Sequence, residues 1–343
     1  MASGGVAVAP KTATFVHTGV RELTLVEEPA PACPEDGVLI RATGSVVNTG
    51  TDIRIYRGRG IDRRPESYPK PAGYCLVGRV EAVGPGAERF RPGDRVFAMG
   101  PFTTLCAASA EMAITVPEDV PDELAAFTDL LDIGLHAIRQ GEPTPGEYVA
   151  VIGQGVIGQG ALACARALGF RTVAIDPDEH RRAVSRRIGA DLVLSPDQPD
   201  FAARIEAFTR GEGVDLVVEA ASVWPAIELG YGIVRPAGKV VVPARHLDLP
   251  DWSPVGGEYQ RREITLRTSQ SYTRFPGFES YPPDVHRWSR RRNFELIWDL
   301  IASGRLNIDP LITDRVGFAE LPDVFARLDA DDRRMIGVYV TIP

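Results

Sequence analysis

Residues 148–176 constrain the fold of this chain more than any other stretch. Tyr148-Val-Ala-Val-Ile152 has the composition of a buried strand, and Gly153-Gln154-Gly155-Val156-Ile157-Gly158 follows at the spacing G-x-G-x-x-G. A helical run comes next, with Ile157, Ala161, Leu162, Ala165 and Leu168 on one face and Gly169 as a stop signal. Thr172-Val-Ala-Ile175 is a second apolar strand that ends in Asp176. Strand, glycine turn, helix, strand and acid in that order form the β-α-β unit that binds dinucleotides. Gly153 permits the tight turn, Gly155 lets the backbone approach a pyrophosphate, and Gly158 lets helix and strand pack closely. The open N–H groups and dipole of the helix start favour the phosphates. Asp176 lies where a carboxylate accepts hydrogen bonds from the adenosine ribose, and its charge repels a 2′-phosphate, so NAD is expected over NADP. Arg181 and Arg182 follow closely and either weaken that preference or form the solvated face of the next helix. The expected cofactor contacts are Gly153, Gln154, Gly155, Val156, Ile157, Gly158, Asp176 and Pro177, with Ala221, Pro243 and Ala244 after later strands. A β-α-β unit with no ligand is the alternative.

A chain of 343 residues is long enough for two domains. Hydrophobic content of 44% and charged content of 24% are those of an ordinary globular protein. A net charge of −8 gives no reason to expect a nucleic acid or an anionic membrane as partner. Met1 to Thr14 lacks the charged and apolar regions of a signal peptide, and no window approaches the roughly 18 apolar residues of a spanning helix. Cys33, Cys75, Cys106 and Cys164 are scattered without paired spacing, so no disulfide framework is expected and a reducing cytoplasm fits best. Lys11, Lys70 and Lys239 are the only lysines, which leaves few candidates for lysine chemistry.

Before the glycine turn, short β-rich runs such as Gly37-Val-Leu-Ile-Arg-Ala-Thr43 and Val77-Gly-Arg-Val-Glu-Ala-Val83 alternate with Pro- and Gly-rich turns, which predicts a small antiparallel barrel or sandwich. Leu124, Phe127, Leu131, Leu135 and Ile138 predict a helix over 123–140. After Asp176, helices and strands alternate: Asp178 caps a helix that Gly189 ends, strands begin at Asp191, Val214, Gly238 and Glu263, and helices span 201–209 and 225–234. That alternation predicts a doubly wound parallel sheet. A further helix is expected over 293–303 and strand-like runs from Ile308 to Ile342.

Taken together the chain resembles the medium-chain dehydrogenase/reductases, the alcohol and polyol dehydrogenase superfamily. Val80-Glu-Ala-Val-Gly84 with Phe90-Arg-Pro-Gly-Asp-Arg-Val-Phe97 is typical of its GroES-like catalytic domain. Val234-Arg-Pro-Ala-Gly-Lys-Val-Val-Val242 resembles its strand near the nicotinamide, and Ile308-Asp-Pro-Leu-Ile-Thr-Asp-Arg-Val316 with Ile336-Gly-Val-Tyr-Val340 its return to the catalytic domain. The resemblance implies an α/β architecture: a GroES-like β domain over 1–125, a Rossmann doubly wound parallel sheet over 126–292, and a return to the catalytic domain over 293–343, with the active site in the cleft. It also implies a homodimer or homotetramer.

The superfamily's zinc ligands do not carry over. Val46-Val-Asn-Thr-Gly-Thr-Asp52 puts Thr49 (or Asn48) where a ligand cysteine stands, Gly73-Tyr74-Cys75 replaces Gly-His-Glu, and Asp129 alone survives in the third region. The motifs Asn48-Thr-Gly-Thr-Asp52 and Gly73-Tyr74 look more like a zinc-less branch that includes bacteriochlorophyllide hydroxyethyl dehydrogenases and sugar, cyclitol and secondary-metabolite dehydrogenases. No zinc or other metal is therefore expected.

Without metal, alcohol oxidation needs side chains to take a proton and to stabilise an alkoxide. Tyr74 is a candidate donor to the substrate oxygen, or else a core tyrosine. Asp129 and Asp132 share a helix face and either serve as base or complement the helix dipole. His136, one turn on, is a candidate base or a structural partner. Thr49 is a candidate proton relay, and Asp52 either joins the site or pairs with an arginine. Between 269 and 293, Tyr272, Arg274, Phe275, Phe278, Tyr281, His286, Trp288 and Arg290-Arg-Arg292 suit either an anionic, hydroxylated substrate or an interface or solvated face. The reading that fits these features is an NAD-dependent oxidoreductase acting on a small polar secondary alcohol. The alternatives are a zinc-free C=C reductase and an epimerase or dehydratase that recycles its NAD.

Overall fold

The computed structural model describes residues 11–60, 65–243, 246, 258–271 and 287–343. Two β systems and a helical layer account for them. The first β system is built from short, turn-separated strands. A three-stranded sheet has the order β2 (Glu22–Pro29), β1 (Lys11–Gly19), β4 (Lys70–Pro71). A seven-stranded sheet runs β15 (Ile312–Gly317), β16 (Gly337–Thr341), β3 (Gly37–Val47), β5 (Cys75–Val83), β6 (Arg95–Met99), β8 (Ile114–Thr115), with β7 (Leu105–Ser109) pairing β3 off that path. The C-terminal tail completes the N-terminal sheet: β16 runs antiparallel to β3, with Val338 opposite Val47 and Tyr339 opposite Val46.

The second system is a six-stranded sheet of order β11 (Leu192–Leu194), β10 (Arg171–Ile175), β9 (Tyr148–Ile152), β12 (Val214–Glu219), β13 (Val234–Val242), β14 (Thr265–Thr268), and every pairing in it is parallel. Its strands are near-continuous Val, Ile, Leu and Ala because both faces are covered. The crossovers are α4 (Val156–Ala167), α5 (Glu179–Ile188), α6 (Phe201–Phe208) and α7 (Trp224–Ile233), with α8 (Glu258–Arg261) before β14. Asp178 caps α5 by accepting from the Arg181 amide, and Gly189 ends it in the left-handed conformation. The strand order reverses between β9 and β12, and that switch point marks the ligand crevice of such sheets.

The helix predicted over 123–140 is two helices, α2 (Asp122–Ala126) and α3 (Thr128–Gly141). Thr128 Oγ1 donates to the Ala125 carbonyl at 2.7 Å, a side-chain bond that competes with the helical ladder at the break. The late helix, α9 (Arg290–Ala302), begins three residues before the predicted start because Ser289 caps it, its Oγ accepting from the Arg292 amide. The strand predicted from Glu263 starts at Thr265. The remaining helices are α1 (Thr51–Tyr56) and α10 (Leu321–Asp329). One hydrophobic core joins the barrel to the helical layer, since Phe97 of β6 meets Phe294 of α9 edge-on at 5.1 Å, and Trp298 and Leu131 continue it. Among the described residues no helix is long and apolar enough to cross a membrane.

Candidate active site

The glycine turn grows directly out of β9. Gly153 sits at φ +89°, a conformation that side chains rarely adopt. A Cβ on Gly158 would lie 1.7 Å from the Gly153 carbonyl oxygen, so that contact admits only glycine. A Cβ on Gly155, in contrast, meets nothing within 4 Å, which leaves the outer side of the turn open. Val156 and Ile157 begin α4, whose start carries no side-chain cap, so its first amides face that space as an anion site.

Asp176 is buried and already engaged. Its Oδ2 accepts from the Gln154 amide at 2.7 Å and its Oδ1 from the Asp178 amide at 2.8 Å. The Gln154 side chain turns inward, donating to the Val151 carbonyl and accepting from Ser185 Oγ. Arg181 Nη1 lies 3.8 Å from Asp176 Oδ2, whereas Arg182 is committed to Glu179 and to the carbonyls of Asp176 and Pro177. Pro177 is exposed beside the acid. Ala221 backs the glycine turn: a Cβ on Gly153 would stand 2.6 Å from its amide nitrogen. Pro243 follows the end of β13, and Ala244 lies outside the described residues.

A second cluster forms where β3, β5, β6, α3 and α9 converge. Asn48 organises one side of it. Its side-chain oxygen accepts from the amides of Gly50 and Thr51, both at 3.1 Å, and its Nδ2 donates to Tyr74 Oη at 3.3 Å. Asp52 is buried and accepts the Asn48 amide at 2.9 Å; its carboxyl is pushed up to about 7 by burial, against the pull of that amide. Among the described residues Asp52 has no arginine partner of the kind considered for it. Burial first, and then the neighbouring Asp129 and Asp52 carboxyls, hold the Tyr74 phenol well above its usual range, so it is a proton donor and not a phenolate. Burial likewise raises the Cys75 thiol, which points at the Ala126 carbonyl. Thr49 donates to the Ile336 carbonyl at 3.3 Å.

On the other side, Asp129 Oδ1 receives Arg290 Nη2 at 2.6 Å and Nε at 3.2 Å. Both side chains are nine-tenths buried, and the guanidinium lies 4.6 Å from the Phe294 ring centroid with Nη2 2.9 Å from Met99 Sδ. Burial opposes that charge, but Asp129, Asp132 and Cys75 keep Arg290 firmly protonated. Asp132 accepts from Asn293 Nδ2 at 2.7 Å, inside the helical layer, and His136 Nε2 lies 3.3 Å from Gln140 Nε2 farther along α3. The structure thus groups Tyr74, Asp52, Asn48 and Asp129 with Arg290, with Asp132 bonded to Asn293 and within charge reach of Arg290, and His136 farther along α3. Arg290 and Asn48 stood in motifs that the sequence singled out, but neither was expected to partner Asp129 or Tyr74. One signal for Arg290 was available: three arginines in the first turn of a helix oppose its dipole and call for an acidic partner.

The family model described as an alcohol dehydrogenase GroES-like domain matches residues 34–159, and that described as a zinc-binding dehydrogenase matches 156–288. A 2-dehydro-3-deoxy-L-galactonate 5-dehydrogenase of Pseudoalteromonas atlantica is 25% identical, covering 93% of this chain and 96% of its own. The chain belongs to the medium-chain dehydrogenase/reductase superfamily, oxidoreductases of the alcohol and polyol dehydrogenase type. Two solved structures of this fold are similar throughout. The 2R,3R-butanediol dehydrogenase of Bacillus subtilis has TM-score 0.82 at 20% identity over 96% of this chain and 99% of that one. A short chain alcohol dehydrogenase of Escherichia coli CFT073, complexed with the cofactor NADH, has TM-score 0.78 at 18% identity over 96% and 99%.

Membership in this medium-chain superfamily raises the question of zinc, which needs three nitrogen, sulfur or oxygen ligands and an open position. The donors here do not fit it. Asp129 is held by a guanidinium whose charge repels a cation, the Tyr74 oxygen accepts from Asn48, and Cys75 is a buried thiol. Among the described residues no group of three or more His, Cys, Asp or Glu side chains converges on a metal position. A nicotinamide cofactor does fit: Gly155 is open, the start of α4 is uncapped, and both lie at the sheet's switch point.

Proposed function

We propose that the chain is a zinc-independent, NAD-dependent oxidoreductase that moves hydride between a polar secondary alcohol, of sugar, cyclitol or secondary-metabolite type, and the nicotinamide. The observation that carries this reading is the Arg290 guanidinium, bonded to Asp129 in the cluster that holds Tyr74. NAD, when bound across the glycine turn, supplies the hydride acceptor. The chain's own residues do the rest. Asn48 donates to the Tyr74 oxygen, which leaves the phenolic proton to hydrogen-bond the substrate oxygen. Arg290 adds a fixed positive charge in a buried setting, where it offsets the negative charge that develops as the alcohol loses its proton. Asp52, held near neutrality, suits the acceptor of that proton. Asp176 favours NAD by its charge, and the sugar-acid substrate named for the Pseudoalteromonas relative supports a hydroxylated substrate.

The test is a cofactor-reduction screen of polyols, cyclitols and sugar derivatives with NAD and NADP in parallel. NADH formation from at least one class supports the reading. Reduction of quinones or enones by NAD(P)H with no alcohol oxidation contradicts it, as does turnover of a sugar without net NADH.

A further inference from the structure

Glu219 and His246 form a buried pair that none of the roles above uses. The parallel sheet opens its crevice on either side of β9. On one side β10 ends beside Asp176; on the other β12 ends in Glu219, in register with Ile152. The Glu219 side chain is fully buried. Its Oε1 accepts from the amides of Ala221 and Ser222, both at 2.8 Å, and so shapes the turn that backs Gly153. Its Oε2 lies 2.6 Å from His246 Nε2. A carboxylate at that distance fixes the ring, because the nitrogen facing it carries the proton. The imidazole is only 9% exposed and packs 5.2 Å from the Trp224 ring. The opposite nitrogen, Nδ1, is buried and has no hydrogen-bond partner among the described residues. A buried polar nitrogen left without a partner is costly, and this one belongs to a ring held by Glu219 at the end of β12, beside the switch point.

We propose that His246 Nδ1 accepts a hydrogen bond from a hydroxyl of the ribose on the nicotinamide side of bound NAD. The inference rests on the NAD reading above. A dinucleotide laid across the switch point has its adenosine half over β10 and Asp176, its pyrophosphate at the glycine turn, and its other half over β12 and β13. His246 therefore meets the second half. In the tautomer that protonates Nε2 toward Glu219, Nδ1 takes a donor, which a ribose hydroxyl supplies and a phosphate oxygen does not. Glu219 acts through His246 as a positioning residue.

Calorimetric titration with NADH, ADP-ribose and ADP separates the halves, because ADP-ribose keeps the second ribose and ADP lacks it. In the His246→Phe protein, NADH and ADP-ribose are expected to weaken by about tenfold or more, while ADP binds as before. Unchanged binding of NADH and ADP-ribose overturns the proposal. An equal loss for ADP also overturns it, since that reports a disturbed crevice. If the phenylalanine variant does not fold, His246→Leu, which also removes the acceptor, serves the same comparison. Failure of the unaltered chain to bind NADH is a separate outcome that overturns the cofactor reading and this contact with it.

Discussion

Asp52 and His17 are buried titratable residues whose effects on stability oppose each other. His17 lies among the rings of Tyr56, Tyr68 and Phe325, and burial lowers its pKa to about 4, with Lys70 lowering and Glu66 and the Glu22 backbone raising it. Between pH 6.5 and about 4 the unfolded chain takes a proton that the folded chain refuses, so His17 makes stability fall as pH falls. Asp52 does the reverse. Between its ordinary 3.8 and about 7 the folded chain keeps a proton that the unfolded chain has released, so stability falls as pH rises. Each slope is at most about 1.4 kcal/mol per pH unit, and over the shared window they largely cancel. Asp52→Asn should therefore unmask a stability that rises with pH from 4 to 6.5, and His17→Gln one that falls; melting temperature against pH reads both. Asp176 carries a different expectation. Because it holds the Gln154 amide as well as facing the ribose position, Asp176→Ala should weaken NADH about tenfold or more and also narrow its preference over NADPH. Titration with both cofactors checks this, and unchanged discrimination would assign selectivity to another group, with Arg181 the nearest. The glycines and Asp176 were legible in the sequence because their chemistry is local. The engagement of Asp176 with the glycine turn was not, because it depends on how two strand ends meet.

Helices α3 and α9 are tied twice, Asp129 to Arg290 and Asp132 to Asn293. These contacts explain why two acids on one helical face need not both serve catalysis. Removing one member of a buried pair leaves an uncompensated charge, so Arg290→Met should cost about 3–5 kcal/mol of stability. Adding Asp129→Leu should recover most of that loss, because the pair as a whole is nearly neutral against an apolar replacement. A double-mutant cycle in denaturant measures the coupling, and additive losses would mean that the pair does not interact. Helical periodicity located α3 and α9 within a few residues. It missed the break at Phe127, which depends on the Thr128 hydroxyl and its contact with Trp298 at 2.8 Å. It also left Arg290 in a charged run, since no local pattern links residues separated by 161 positions.

At the scale of the molecule, the barrel and the parallel sheet share one core through Phe97, Phe127, Phe294 and Trp298. That continuity brings Tyr74 of the barrel within the electrostatic reach of Asp129 on the helical layer. Strand alternation in the sequence was sufficient for the parallel sheet, because period and turn chemistry are written along the chain, whereas the return of the tail to β3 was implied only by the family resemblance. The cluster around Tyr74 was only half legible: its acids and its phenol lie in recognisable motifs, whereas its cation comes from the far side of the fold. Nothing in the composition names the substrate, since shape and hydrogen-bonding at the cleft decide it. The most direct test of alcohol oxidation driven by Tyr74, Asp52 and Arg290 is the rate of NADH formation by protein dialysed against a strong chelator, with metal content measured on the same sample. A rate unchanged by metal removal and undiminished at zinc far below one ion per chain is the predicted result. Loss of the rate on dialysis, with recovery on adding zinc, would contradict it.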